Sequence, residues 1–225
     1  MMNGIVVVNK PNGLTSHDVV DKVRKKFRIK KVGHAGTLDP LATGVLVMLI
    51  GKTTKLSRQF TSFDKAYRAT MKLGVRTDTA DTQGKVIATS SFNHITREQV
   101  EYALQKFIGG IEQIPPMVSA VRMRGKRLYE LARQGIEVTR ESRPITIHVL
   151  RLERFEPPLV EIYLECSKGT YVRQLADDIG SALGCGACIT QIERTKVGEF
   201  SIEHSVKLEE LNERHIRPWE GEKHI

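Results

Sequence analysis

The chain has 225 residues, 40% hydrophobic and 27% charged, the composition of a soluble globular protein with room for one sizeable domain or two lobes sharing a core. Lys and Arg outnumber Asp and Glu by 35 to 26, a formal net charge of +9, which suggests a polyanionic partner, most simply nucleic acid, beside the plainer reading of a solvated basic surface. No apolar run reaches the roughly 18 residues of a membrane helix, and the apolar part of MMNGIVVVNKPNG is too short for a signal peptide, so a cytoplasmic protein is expected.

In chain order, GIVVVNK predicts a buried strand. PNGLTS turns the chain, with Ser16 as helix cap, and HDVVDKVRKKF places Val19, Val20, Val23 and Phe27 on one helical face. Val45 to Ile50 predicts a second buried strand. In YRATMKL, Tyr67, Ala69, Met71 and Leu73 alternate with polar neighbours, the pattern of a half-buried strand. Thr96 and Gln99 form a capping box for a helix burying Val100, Leu104, Phe107 and Ile108. Residues 111–145 are basic and less regular, an excursion from the core with a short helix ending near Gly135. Val160, Ile162, Leu164 and Cys166 alternate on a strand. GTYVRQLADDIGSALG starts a helix with Leu175, Ala176, Ile179 and Leu183 inward and Gly184 at its end. A last strand is expected within 189–202 and a short polar helix near 207–214. Without a regular βαβ rhythm, the fold class is α+β.

Three motifs fail on their own terms. GKTT at Gly51 to Thr54 resembles the end of a phosphate-binding loop, but Leu46 stands where that loop needs a glycine. GCGACI follows a helix and lacks the third glycine of a dinucleotide fingerprint. Cys185 and Cys188 have metal-ligand spacing, yet only Cys166 remains to join them and no histidine is near in sequence, so small buried cysteines are expected rather than a metal site. An odd cysteine count also argues against a disulfide framework.

GHAGTLDPLATGVL, Gly33 to Leu46, holds Asp39 directly before Pro40, which biases its backbone to extended conformations, among glycines that permit tight turns and close approach of a ligand. Residue types alone leave a turn-initiating Asp-Pro and a functional carboxylate both open. The whole string resembles the signature of the TruB family of pseudouridine synthases. So do KPNGLTS at Lys10 to Ser16, DKAYRATMKLGVRTDTADTQG at Asp64 to Gly84, QIPPMVSAVRMRGKRLYELARQGIEV and CSKGTYVRQLADDIGSALGCGA. The five blocks run in order from about residue 3 to 202.

The resemblance implies a pseudouridine synthase fold, a mixed and mostly antiparallel central sheet with flanking helices and an RNA-gripping insertion at about 111–145, in a single catalytic domain over 1–225. It implies isomerisation of the uridine at position 55 of the tRNA T-loop, without cofactor or metal, by an enzyme of the stand-alone bacterial type; a single-domain RNA modifier of this size is expected to be a monomer. Asp39 matches the catalytic aspartate, Arg173 its ion-pair partner, and Tyr67 the tyrosine that stacks on the base. His34 matches a residue that helps hold the target nucleotide out of the loop, since a base inside a stack is unreachable. Tyr171 and Ile192 match uracil-lining positions; the family more often has Leu at the latter. Arg122, Arg124, Lys126, Arg127 and Arg133, with Lys10, Lys30 and Lys31, are the phosphate contacts expected on the T stem-loop. No C-terminal PUA-type module is expected in the residues after Leu208. The competing readings are a catalytically silent RNA-binding protein on the same fold and a guide-dependent enzyme acting on ribosomal RNA.

Overall fold

GIVVVNK forms the strand Gly4–Lys10 in a computed structural model that describes residues 2–119, 121–123, 125–132 and 134–219. The chain divides into two compact units, Met1–Tyr67 with Ile192–Ile225, and Arg68–Gln191. Two strands, Lys65–Leu73 and Ala187–Val197, run from one unit into the other.

In the first unit, Gly4–Lys10 pairs antiparallel with Thr43–Ile50, from Gly4 opposite Ile50 to Lys10 opposite Gly44. On its other side it pairs parallel with Val206–Lys207. The far edge of Thr43–Ile50 is shared. Val32–Ala35 pairs with its second half, Ala35 opposite Val47, while Glu193 and Arg194 pair with Thr43 and Gly44. The chain leaving Ala35 must therefore turn out of the sheet where Arg194 enters it, and residues 36–42 are that turn. Beneath lie Ile5, Ala35, Val45, Val47, Leu49, Phe60 and Val197, with Phe200 and Trp219 packed against them.

The helix Ser16–Phe27 buries Val19, Val20 and Val23 as its spacing requires. Its cap is Thr15, not Ser16: the Thr15 hydroxyl accepts from the Asp18 amide and Asp18 answers to the Thr15 amide. Ser16 is buried, and its hydroxyl accepts from the Leu38 amide at 2.8 Å and donates to the Leu38 carbonyl at 3.2 Å.

In the second unit the strand order is Ala187–Val197 (its first half), Lys65–Leu73, Leu159–Cys166, Arg143–Glu156, Gly109–Gln113. Ala69, Met71 and Leu73 are buried, as are Val160, Ile162, Leu164 and Cys166. Helix Val172–Ala182 buries Leu175, Ala176 and Ile179. Helix Arg97–Gln105 carries the expected capping box but ends before Phe107 and Ile108; Ala103 is buried instead, and Ile108 is exposed. The excursion at 111–145 is anchored at both ends, where Gly109–Gln113 pairs antiparallel with Arg143–Ile147. Between them lie a two-residue hairpin, Arg122 opposite Arg127, and helix Leu128–Ala132. Near 207–214 there is no polar α-helix; the backbone instead joins the sheet edge at Val206–Lys207 and ends in a single 3-10 turn at Glu213–His215. The first unit pairs its strands in both senses, Leu159–Cys166, Arg143–Glu156 and Gly109–Gln113 pair antiparallel in the second, and with the interspersed helices this is the α+β class.

Candidate active site

The turn carrying Asp39 is held from below by main-chain and buried polar contacts. Besides the Ser16–Leu38 pair, the Gly13 amide donates to the Pro40 carbonyl at 2.9 Å and the Ala42 amide to the Asp39 carbonyl at 3.0 Å. Lys10 is fully buried. Its ammonium donates to the carbonyls of Leu14 at 2.6 Å, Pro11 at 2.9 Å and Pro40 at 3.3 Å. The charge of Lys10 is therefore spent inside the protein, which argues against the phosphate contact expected of it. Burial lowers its pKa to about 8, with the Asp39 carboxylate acting in the opposite sense.

Arg194 is the second buried cation, 1% exposed. Its Nε donates to the Val45 carbonyl at 2.8 Å and a terminal nitrogen to the Gly36 carbonyl at 3.0 Å, so it ties the two ends of the Asp39 turn together. Burial pushes its pKa down, while the Tyr67 phenol, to which it hydrogen-bonds, and the Asp39 carboxylate support its charge. Gly44, at φ +97, lies so close to this strand that a Cβ there would collide with the Arg194 carbonyl. The close approach demanded by the motif's glycines is thus made by an arginine of the chain itself. The sequence reading missed Arg194; the signal was a pair of glycines flanking the turn with no partner yet assigned.

The first unit accordingly groups Asp39, Lys10, Arg194 and Tyr67 through one set of charge and hydrogen-bond relations. Tyr67 is buried and Asp39 half-buried. Ile192 is buried, and its carbonyl accepts from the Thr43 hydroxyl at 3.5 Å. His34 sits on the strand Val32–Ala35; burial first, then the charges of Arg194 and His17, lower its pKa to about 4, which keeps the imidazole neutral at pH 7. Its Nδ1 is buried without a hydrogen-bond partner among the described residues.

Arg173 and Tyr171 belong to the second unit. Arg173 is 3% exposed and donates to the carbonyls of Thr79 at 2.7 Å and Val118 at 2.8 Å, with Asp81 at 3.5 Å. The Asp81 carboxylate also accepts from the Thr79 hydroxyl at 2.7 Å and the Gln83 amide at 3.0 Å. The pairing of Arg173 with Asp39 rests on the family resemblance. Of the expected phosphate contacts, Lys30, Lys31 and Lys126 are exposed. The side chains of Arg122 and Arg127, and the residues Arg124 and Arg133, lie outside the described residues. Cys166, Cys185 and Cys188 are buried free thiols, and the described residues hold no cluster of metal-ligating side chains. No helix among them is long and apolar enough to cross a membrane.

Two family descriptions match the chain: "TruB family pseudouridylate synthase (N terminal domain)" over residues 24–172 and "tRNA pseudouridylate synthase B C-terminal domain" over residues 173–222. A Clostridium tetani protein named tRNA pseudouridine synthase B is 50% identical over 216 residues, 96% of this chain and 75% of that one. A protein of the same name from Symbiobacterium thermophilum is 50% identical over 213 residues, 93% of this chain and 71% of that one. Among solved structures, a chain in the crystal structure of a Cbf5–Nop10–Gar1 complex superimposes with a TM-score of 0.73 at 28% identity, covering 92% of this chain. This chain spans about half of that one, 52%.

Proposed function

Because the chain belongs to the TruB family of pseudouridine synthases, we propose that it converts the T-loop uridine at position 55 of tRNA to pseudouridine, with the Asp39 carboxylate as the reacting group. The C1′–N1 bond of the nucleoside breaks, the uracil turns, and a C1′–C5 bond forms; the proton leaves C5 and N1 takes one up. Nothing is oxidised or reduced overall, so the reaction asks for no electron carrier. It asks for an anionic oxygen against the departing sugar or base, and an ionised carboxylate supplies one at neutral pH.

The observation that carries this reading is the setting of Asp39. It stands on a turn fixed by Ser16, Gly13 and Lys10, within the field of two buried cations, Lys10 and Arg194. The rigid turn fixes its position before substrate arrives. Tyr67, on the guanidinium of Arg194, offers an aromatic face to a flipped base. Neutral His34 supplies a planar group for the gap that the base leaves. Tyr171 and Arg173 enter on the family motif. In this reading the enzyme is a cytoplasmic monomer whose partner is the T stem-loop, gripped through exposed lysines including Lys126 and selected by shape and unstacked bases.

The test is pseudouridine mapping on an unmodified tRNA transcript with this protein alone. Wild type forms the isomer at the T-loop position. Asp39→Asn loses about 10³-fold or more of the rate while binding tRNA within about twofold of wild type. Salt-sensitive binding with no isomer at stoichiometric protein would return the silent RNA-binding reading. A requirement for added RNA and protein would return the guided one.

A further inference from the structure

Gln113 ends the strand Gly109–Gln113 at the root of the insertion and is 2% exposed. Its carboxamide bonds to the main chain of Tyr171, 58 positions further on. The Tyr171 amide donates to Gln113 Oε1 at 2.8 Å, and Gln113 Nε2 donates to the Tyr171 carbonyl at 3.1 Å. The amide orientation is dictated by its partner, because a backbone N–H can only donate. Tyr171 stands immediately before helix Val172–Ala182 and caps nothing with its own side chain. Its main chain at the helix entrance is thus held by Gln113, in the way a neighbouring strand would hold it.

A second link lies just beyond. Arg173, in the first turn of that helix, donates to the Val118 carbonyl. Between the two links the chain reads Ile114-Pro115-Pro116-Met117, which two proline rings stiffen. The first stretch of the insertion and the entrance of the helix are therefore fastened at two points through a semi-rigid strut.

We propose that Gln113 is a positioning residue for the uracil site: by fixing the Tyr171 main chain it sets the Tyr171 ring and the adjacent Arg173, and it ties their placement to the seating of the RNA-gripping insertion. This rests on the functional reading above, since it concerns the order of the same site. Gln113 touches no substrate in it and acts only through Tyr171.

The decisive variant is Gln113→Glu. It keeps the shape and the acceptor for the Tyr171 amide, but an ionised carboxylate sets a second oxygen against the Tyr171 carbonyl, lone pair to lone pair. Protonation restores a donor there, and a carboxyl buried beside a carbonyl takes up its proton at higher pH than usual. The measurement is the single-turnover rate of tRNA modification with enzyme in saturating excess, which reads the bound complex and is not mimicked by a partly unfolded preparation. Gln113→Glu is expected to be about tenfold slower than wild type at about pH 8 and within about threefold of it at about pH 5.5, with tRNA affinity moved less than about twofold. Gln113→Met, which loses both bonds, should be slow at every pH. Amide hydrogen exchange at Tyr171 should be slow in wild type and fast in Gln113→Met. An active wild type alongside variants of unchanged rate, or a Gln113→Glu deficit that pH does not move, overturns the inference alone. A wild type that makes no pseudouridine overturns the functional reading, and this inference with it.

Discussion

Two buried arginines, one in each unit, clamp distant segments through backbone carbonyls, but they balance their charge in different ways. Arg194 joins Val45 to Gly36, and the groups that support its charge, Tyr67 and Asp39, are the ones proposed to meet the substrate. Arg173 joins Thr79 to Val118 and has a buried acid, Asp81, at 3.5 Å, itself fixed by Thr79 and Gln83. In the first unit the structural cation and the reacting carboxylate share one electrostatic system. In the second, a buried acid that belongs to the same loop as Thr79 stands 3.5 Å from the clamp. The largest expected effect follows from this contrast. Asp81→Asn removes a buried carboxylate that stands beside the Arg173 guanidinium and accepts from the Thr79 hydroxyl and the Gln83 amide, and should cost about 3 kcal/mol of stability in urea unfolding. Asp39→Asn removes a half-buried acid from an arginine that keeps two carbonyls and a phenol, and should cost less than about 1 kcal/mol. Equal losses in the two variants would erase the distinction.

How much of this was legible beforehand depended on whether local pattern and tertiary demand agreed. The strands Gly4–Lys10 and Thr43–Ile50 and the Thr96–Gln99 box were readable because apolar periodicity and capping chemistry are local. Thr15 and Ser16 are both competent caps; the third residue decides, since Asp18 answers Thr15, while Ser16 is drawn inward to Leu38 by a contact 22 positions away. The strand Arg143–Glu156 escaped because its register slips twice, between Ile147 and Val149 and between Leu152 and Arg154, and each slip breaks the alternation that marks a strand. The polar stretch after Lys207 reads as helix by composition, but an open edge of Gly4–Lys10 takes Val206 and Lys207 instead. Within the site, Asp39, Tyr67 and Arg173 stood out by motif. Arg194 did not, because a charged residue in ERTK reads as surface until the strand beside Gly44 is known to bury it.

A sharper probe of the shared system in the first unit is pH. Lys10 has a folded pKa of about 8 against an ordinary 10.5. Below about 8 it is charged in both states; between there and 10.5 the unfolded chain holds the proton and the native state does not. The unfolded state then binds more protons, so this group's contribution to native stability rises with pH across the window. Activity should move the other way, because loss of the ammonium's charge weakens the bonds to Leu14 and Pro40 that hold the Asp39 turn. Opposite slopes of stability and single-turnover rate above pH 8 are the expected outcome, both flattened in Lys10→Met. Parallel slopes would mean that Lys10 serves the fold without touching the chemistry.

The smallest effects should come from cations that are not buried at all. Lys126 in the second unit and Lys30 in the first are exposed, so neither substitution should alter folding by more than about 0.5 kcal/mol. A lysine that neutralises one phosphate releases about one counterion, and its removal should lower the slope of log affinity against log salt by about one while weakening tRNA binding a few-fold. Lys126→Ala and Lys30→Ala are each expected to do this with the saturated rate unchanged, the converse of Lys10→Met, whose salt slope should stay at the wild-type value because a fully buried ammonium meets no phosphate. Salt titrations of the three variants side by side therefore separate charge that holds the Asp39 turn from charge that holds RNA. An unchanged slope in either exposed variant removes that residue from the phosphate set, and a reduced slope in Lys10→Met would show that its ammonium reaches the ligand after all.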